Sequence, residues 1–208
     1  MIRYEDKKGI VVYIHGFHGS YKEAKIFDFL NDKYDVVGID YENRNPWEVK
    51  DRIISEFERL TKGYDEVVLI GYSIGAFHCY EFLNKYKVNK AFFICPVARM
   101  YTIGLGMMKK NNISEELLKE KGEIELEDGQ ILSYSFNQHL KNDPIIWDVP
   151  TDILYASNDQ LIRLEDVIWF LKDHPKSRLT IKSDSEHHIL KTPEEQQFVK
   201  EWILRGLN

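Results

Sequence analysis

A serine hydroxyl is a weak nucleophile at neutral pH. It attacks a carbonyl carbon only when a base takes its proton and donors await the developing oxyanion. Ser73 stands where such chemistry can be assembled, within Gly71-Tyr72-Ser73-Ile74-Gly75, directly after the apolar run Glu66–Ile70 and ahead of a helical pattern through Tyr80, Phe82 and Leu83. A serine at a sharp strand-to-helix turn is forced into a strained backbone conformation that lifts its hydroxyl clear of the sheet. Glycines two positions to either side remove the side chains that would clash there. The competing account is a Gly-rich tight turn with an idle serine, and the strand and helix on either side weigh against it.

Acid and base candidates follow in chain order. Asp159 comes just after the run Asp152–Ala156, in Ser157-Asn158-Asp159, where a carboxylate at a strand end can hold an imidazole in one tautomer. It also fits as an N-cap for a helix starting near Arg163, and Asp143 or Asp184 could replace it, since linear spacing does not fix distances. After the last apolar run comes Glu186-His187-His188-Ile189. Two adjacent histidines cannot both face one serine, and His187 is the expected base with His188 the alternative. The first strong run ends in His15-Gly16-Phe17-His18-Gly19. The backbone amides of Phe17 and of Ile74, the latter at a helix start, are the expected oxyanion donors. His15 is expected to brace its loop by hydrogen bonding rather than to react. No neighbouring carboxylate or cysteine completes a metal shell around His15 and His18.

These residues need a frame. Apolar, β-branched runs occur at Gly9–Ile14, Val36–Ile39, Glu66–Ile70, Lys90–Ile94, Asp152–Ala156 and Arg178–Lys182. They are continuous rather than alternating, so both faces must be covered. Amphipathic helical patterns lie between them at about 22–32, 46–61, 74–86, 160–173 and 193–206. Pro46 after Asn45 and Pro193 after Thr192 mark two of the helix starts. The expected fold is α/β, a mostly parallel β-sheet with helices on both faces and a short helical cap insertion. One domain is expected over 1–208, with the cap at about 97–148, where the strand–helix rhythm fails. Met100, Tyr101, Ile103, Leu105, Met107 and Met108 in this insertion are adaptable apolar side chains suited to an acyl pocket, with Met100, Met107 and Met108 the expected substrate contacts. An amphipathic lid packed on the core is the alternative.

Composition narrows the function further. The 208 residues with 43% hydrophobic content suffice for one sizeable core, and a net charge of −6 offers no attraction to nucleic acid or to an anionic membrane surface. The charged start Met1-Ile2-Arg3-Tyr4-Glu5-Asp6 is unlike a secretory leader, so a cytoplasmic location is expected. Cys79 and Cys95 each lie in an apolar stretch and read as buried free thiols. No cofactor and no metal are expected, because there is no phosphate-cradling glycine loop and no clustered Cys/His set. Oligomeric state is left open.

Gly71–Gly75, the His15-Gly16 loop, Ser157–Asp159 and Glu186-His187 together resemble a small serine esterase of the α/β-hydrolase superfamily, over nearly the whole chain. The resemblance implies that Ser73 attacks an acyl carbon, that the acid following a late strand is Asp159, and that the histidine following the last strand is the base. In such proteins the histidine is often preceded by a small or acidic residue and followed by apolar or aromatic ones, which favours His187. The leading antiparallel strands of the superfamily are missing or reduced to Ile2–Tyr4 and the cap is short, which bears on substrate size. The implied activity is cleavage of a small or medium carboxylic ester through an acyl-enzyme on Ser73. An acyl thioesterase or small-substrate peptidase would use the same triad, and a non-catalytic small-ligand binding protein on the same fold is the alternative outside the enzymes.

Overall fold

A run of β-branched and aromatic residues without polar alternation forms a strand only where both faces are covered. In the computed structural model, which describes residues 9–42, 45–127, 129–142 and 145–208, every residue of β1 (Gly9–Ile14) is buried. The main sheet also contains β2 (Tyr34–Gly38), β3 (Glu66–Tyr72), β4 (Lys90–Ile94), β7 (Thr151–Ala156) and β8 (Ser177–Lys182), all parallel and in the order β2-β1-β3-β4-β7-β8. Alternate residues feed two cores. Ile10, Val12, Leu69, Phe93 and Ile153 join one, and Val11, Tyr13, Ile70, Phe92 and Leu154 join the other.

The first core is closed by α1 (Pro46–Thr61), α2 (Ile74–Phe82) and α6 (Leu164–Asp173), through residues such as Ile53, Phe77 and Phe170. The second is closed by a 3-10 helix (Tyr21–Leu30) and α7 (Pro193–Leu207), through Phe27, Trp202 and Ile203. The segment near 22–32, expected as an α-helix, winds instead as 3-10. Its buried residues Ala24, Phe27 and Leu30 recur every third position, the period of three residues per turn. Both proline starts carry reciprocal caps. Glu48 Oε2 accepts from Asn45 N at 3.1 Å, while Thr192 Oγ1 accepts from Glu195 N at 3.2 Å and Glu195 Oε2 from Thr192 N at 3.1 Å.

Between β4 and β7 the chain leaves the sheet. It forms α3 (Met100–Lys110), α4 (Glu115–Lys121), an antiparallel hairpin of β5 (Glu123–Glu125) and β6 (Ile131–Ser133), and α5 (Tyr134–Asn142). Met108, Leu118, Leu126 and Leu132 give this insertion a small core of its own. The hairpin has no counterpart in the sequence reading, because three-residue strands are too short to show a period of two. Ile2–Tyr4 and Asp143 lie outside the described residues. Among the described residues no helix is long and apolar enough to cross a membrane.

Candidate active site

Ser73 occupies the turn between β3 and α2 at φ 53°, ψ −117°, a strained region for a residue with a side chain. Its neighbours show why the strain persists. A Cβ on Gly71 would fall 2.6 Å from Ala76 Cα, and one on Gly75 would collide with the Ile14 carbonyl and lie 2.6 Å from His15 O. Only glycine lets α2 start this close to β1 and β3. The turn is also tied to the next strand, since Ser73 N donates to Ile94 O at 2.9 Å and Val97 N donates to Ser73 O at 3.0 Å.

Two later strands bring the partners to the same sheet edge. The loops after β7 and β8 are stitched together, Ser157 N to Lys182 O at 3.0 Å and Asn158 N to Ser185 O at 2.9 Å. Asp159 Oδ1 accepts from Leu161 N at 2.8 Å and Ile162 N at 2.9 Å, while Oδ2 sits 2.7 Å from His187 Nδ1. The carboxylate thus caps a turn and faces the imidazole at once. α6 begins at Leu164 with Arg163 as its N-cap residue, close to the start near Arg163 that the sequence allowed. Asp159 therefore caps the preceding turn rather than the helix, and the pattern from about 160 opens as that turn. His187 Nε2 lies 3.0 Å from Ser73 Oγ. The Asp159 side chain is wholly shielded from solvent and that of His187 nearly so.

The remaining candidates are placed differently. His188 is exposed, with Nδ1 3.3 Å from Tyr72 Oη. Partial burial, with the Lys191 ammonium and His187 nearby, holds its imidazole below the usual range. Asp184 is exposed, its amide bonded to Ser157 Oγ at 3.0 Å, so neither takes part in the Ser73–His187–Asp159 chain of contacts. His15 is buried, stacked on Tyr41 with ring centroids 4.0 Å apart, and its Nδ1 donates to Gly16 O at 2.8 Å. Tyr41 Oη in turn donates to His15 O at 2.5 Å. This braced loop presses on the serine turn, for a Cβ on Gly16 would lie 3.2 Å from Ser73 Cβ and 3.3 Å from Tyr72 O. Phe17 follows Gly16 at the rim and Ile74 opens α2, so both amide-bearing residues border the same cleft as Ser73.

That cleft has a volume of about 510 Å³, within the roughly 300–1,000 Å³ common for small-molecule sites. Met100, Ile103, Gly104 and Met107 line it from one face of α3, the i, i+3, i+4, i+7 positions of a helix. Met108 requires a correction. One position further round the helix, it turns about 100° away and is buried in the small core with Leu118, Leu126 and Leu132, where Asn137 Nδ2 donates to its Sδ at 3.6 Å. Trp47 and Phe136, rings 4.8 Å apart, border the cleft from α1 and α5. Sequence reading missed both, although their aromatic character at a helix start and on an amphipathic face was visible.

Tyr72 and Cys95 adjoin the site, and His78 is a further buried polar group. Tyr72 Oη donates to His187 O at 3.1 Å. Burial, first among its causes, keeps its phenol proton on well above the ordinary range. Cys95, read from sequence as structural, is a free, buried thiol after β4. His78 is buried with no partner for Nδ1 among the described residues, and burial, reinforced by His15, pushes it down to about 3, so it is neutral.

No family model matches the chain and no curated protein is similar to it in sequence. Solved structures are similar in shape. Est1E from Butyrivibrio proteoclasticus is 18% identical with a TM-score of 0.71, over 98% of this chain and 90% of that one. A hydrolase from Agrobacterium vitis S4, described as putative, is 14% identical with a TM-score of 0.75, over 98% and 90%. Alpha/beta hydrolase domain-containing protein 10 from mouse is 15% identical with a TM-score of 0.72, over 96% and 90%. The shared feature at these identities is the fold: the chain has the α/β-hydrolase fold.

Proposed function

We propose that this protein is a serine hydrolase that cleaves a small or medium carboxylic ester through an acyl-enzyme on Ser73. The observation that carries the reading is the unbroken chain of contacts from Asp159 through His187 to Ser73, at 2.7 Å and 3.0 Å. Asp159 faces Nδ1, which fixes the tautomer with its proton there and leaves the Nε2 lone pair toward Ser73 Oγ. As Oγ attacks the acyl carbon, Nε2 takes its proton, and the shielded carboxylate stabilises the imidazolium that results. The Phe17 and Ile74 amides receive the oxyanion, the latter aided by the positive end of α2. Collapse of the tetrahedral intermediate expels the alcohol, which takes the proton from Nε2. Water then enters by the same route and releases the acid.

The apolar lining by Met100, Ile103, Met107, Trp47 and Phe136 supports an uncharged acyl group of modest size. Structures of similar shape include Est1E with bound ferulic acid and a marine microorganism esterase, which supports the ester reading. Hydrolysis of short-chain p-nitrophenyl esters by wild type and Ser73→Ala tests the proposal. Loss on the order of 10⁴-fold or more in kcat is expected, with labelling by a fluorophosphonate abolished. Equal turnover by Ser73→Ala would remove the nucleophile. A wild type inert to esters and fluorophosphonate alike would leave a small-ligand binding protein.

A further inference from the structure

Cys95 lies close to both Asp159 and His187. It follows β4 at φ 44°, and its amide donates to Leu154 O at 2.8 Å, which anchors it between the ends of β4 and β7. Its Sγ, a carboxylate oxygen of Asp159 and a ring nitrogen of His187 all lie within 4.8 Å of one another. Thiolate, carboxylate and imidazole are the donor types that bind zinc at about 2.0–2.3 Å, and the sulfur biases such a set toward soft and borderline ions over magnesium or calcium. We propose that Cys95, Asp159 and His187 form a binding site for a divalent cation of the Zn²⁺ and Cd²⁺ class, and that its occupation switches the Ser73 hydroxyl off from its base.

The charges explain why such an ion is acceptable in a buried place. With a neutral imidazole and a protonated thiol, the Asp159 carboxylate gives the trio a charge of −1. Burial pushes the Cys95 thiol far above its ordinary range, and the Asp159 and Glu195 carboxylates add to the effect. Tyr72 and Tyr155 also interact with this thiol, and both are uncharged. A divalent ion bound by thiolate, carboxylate and neutral imidazole makes the cluster neutral, which offsets the desolvation of the sulfur anion.

The proton ledger gives the functional consequence. The thiol proton leaves to solvent. Because Asp159 faces Nδ1, an ion shared between them takes the Nδ1 lone pair, and the ring proton moves to Nε2. An imidazole carrying its proton on Nε2 cannot accept one from Ser73 Oγ. One proton is released per ion bound, no oxidation state changes, and removing the ion restores the original tautomer. The site is inhibitory, distinct from a resident cofactor. Binding itself is independent of the esterase reading, whereas inhibition rests on it.

The test is titration of wild type, Cys95→Ser and Cys79→Ser with CdCl₂. Two signals are followed, the ultraviolet thiolate-to-cadmium charge-transfer band and the rate of fluorophosphonate labelling. The expected result is one Cd²⁺ per wild-type chain, with the band appearing as labelling falls, and reversal of both by EDTA. Cys79→Ser behaves like wild type. Cys95→Ser, read against its own metal-free labelling rate, lacks the band and needs at least about 10-fold more Cd²⁺ for the same fractional inhibition, since even loss of an outer-shell partner costs that much. MgCl₂ has no effect. Absence of the band in wild type, or equal inhibition of wild type and Cys95→Ser, overturns the proposal. Should Cys95→Ser fail to fold, Cys95→Ala is read in its place. A wild type that shows the band but never labels, even without Cd²⁺, keeps the metal site and removes the esterase.

Discussion

Ser73, Asp159 and His187 stand in the turns that follow the parallel strands β3, β7 and β8, and these turns are tied by backbone hydrogen bonds to a neighbouring strand or loop. Met100, Ile103, Met107 and Phe136 reach the same cleft from the helices of an insertion. The first group is placed by backbone geometry, where a shift of a few tenths of an ångström breaks contacts. The second is placed by side-chain packing, which adapts. On the esterase reading the first region carries the chemistry and the second selects the acyl group.

Glycines expose the contrast most sharply. A Cβ on Gly75 overlaps the Ile14 carbonyl, whereas one on Gly106, in the insertion, meets nothing within 4 Å. Gly75→Ala is expected to give the largest effect of any single methyl group, with ester turnover lost and Tm lowered by several degrees. Gly106→Ala lies within α3 and is expected to stabilise that helix by about 0.5–1 kcal/mol, with turnover unchanged. Thermal melts and p-nitrophenyl acetate assays on the two variants decide the matter. Similar losses in both would mean that the insertion is as tightly constrained as the turn.

Asp159→Asn comes next. The carboxamide keeps the volume, and its oxygen can still accept from Leu161 and Ile162. The amide group that then faces Nδ1 is a donor, and it favours the tautomer with its proton on Nε2. A fall in kcat of about 10⁴-fold is the precedent for that error, with KM and the melting temperature little altered. A wild-type kcat in Asp159→Asn would show the carboxylate to be no more than the cap of its turn.

The same contrast governs what the chain discloses before folding. The serine turn, the strand order of acid and histidine, and the proline-led helices are written in local patterns of glycine, β-branched runs and caps. The boundaries of the strands accordingly move by a residue or two between expectation and structure. Three features were not legible. The 3-10 winding of Tyr21–Leu30 depends on burial of every third residue. The β5–β6 hairpin is too short to show periodicity. The proximity of Cys95 to Asp159 and His187 arises from the alignment of β4, β7 and β8 in one sheet, which no linear spacing encodes.

Met107 and Met108 carry the comparison to single-residue scale. They are neighbours in α3 with the same side chain, yet Met107 faces the cleft and Met108 is 7% exposed in the insertion's own core. Met107→Ala enlarges the cleft, which on the esterase reading is the acyl pocket. It is expected to shift kcat/KM toward longer acyl chains by about 10-fold, the discrimination that a methylene-sized change in an apolar pocket supports. Met108→Ala leaves a cavity and is expected to destabilise the insertion by about 2–3 kcal/mol, with the ranking of p-nitrophenyl acetate, butyrate and octanoate kept. The two effects separate only if α3 presents one fixed face to the cleft. An identical shift in chain-length preference from both substitutions would mean that the helix turns about its axis on binding, and that the pocket is formed by substrate rather than waiting for it.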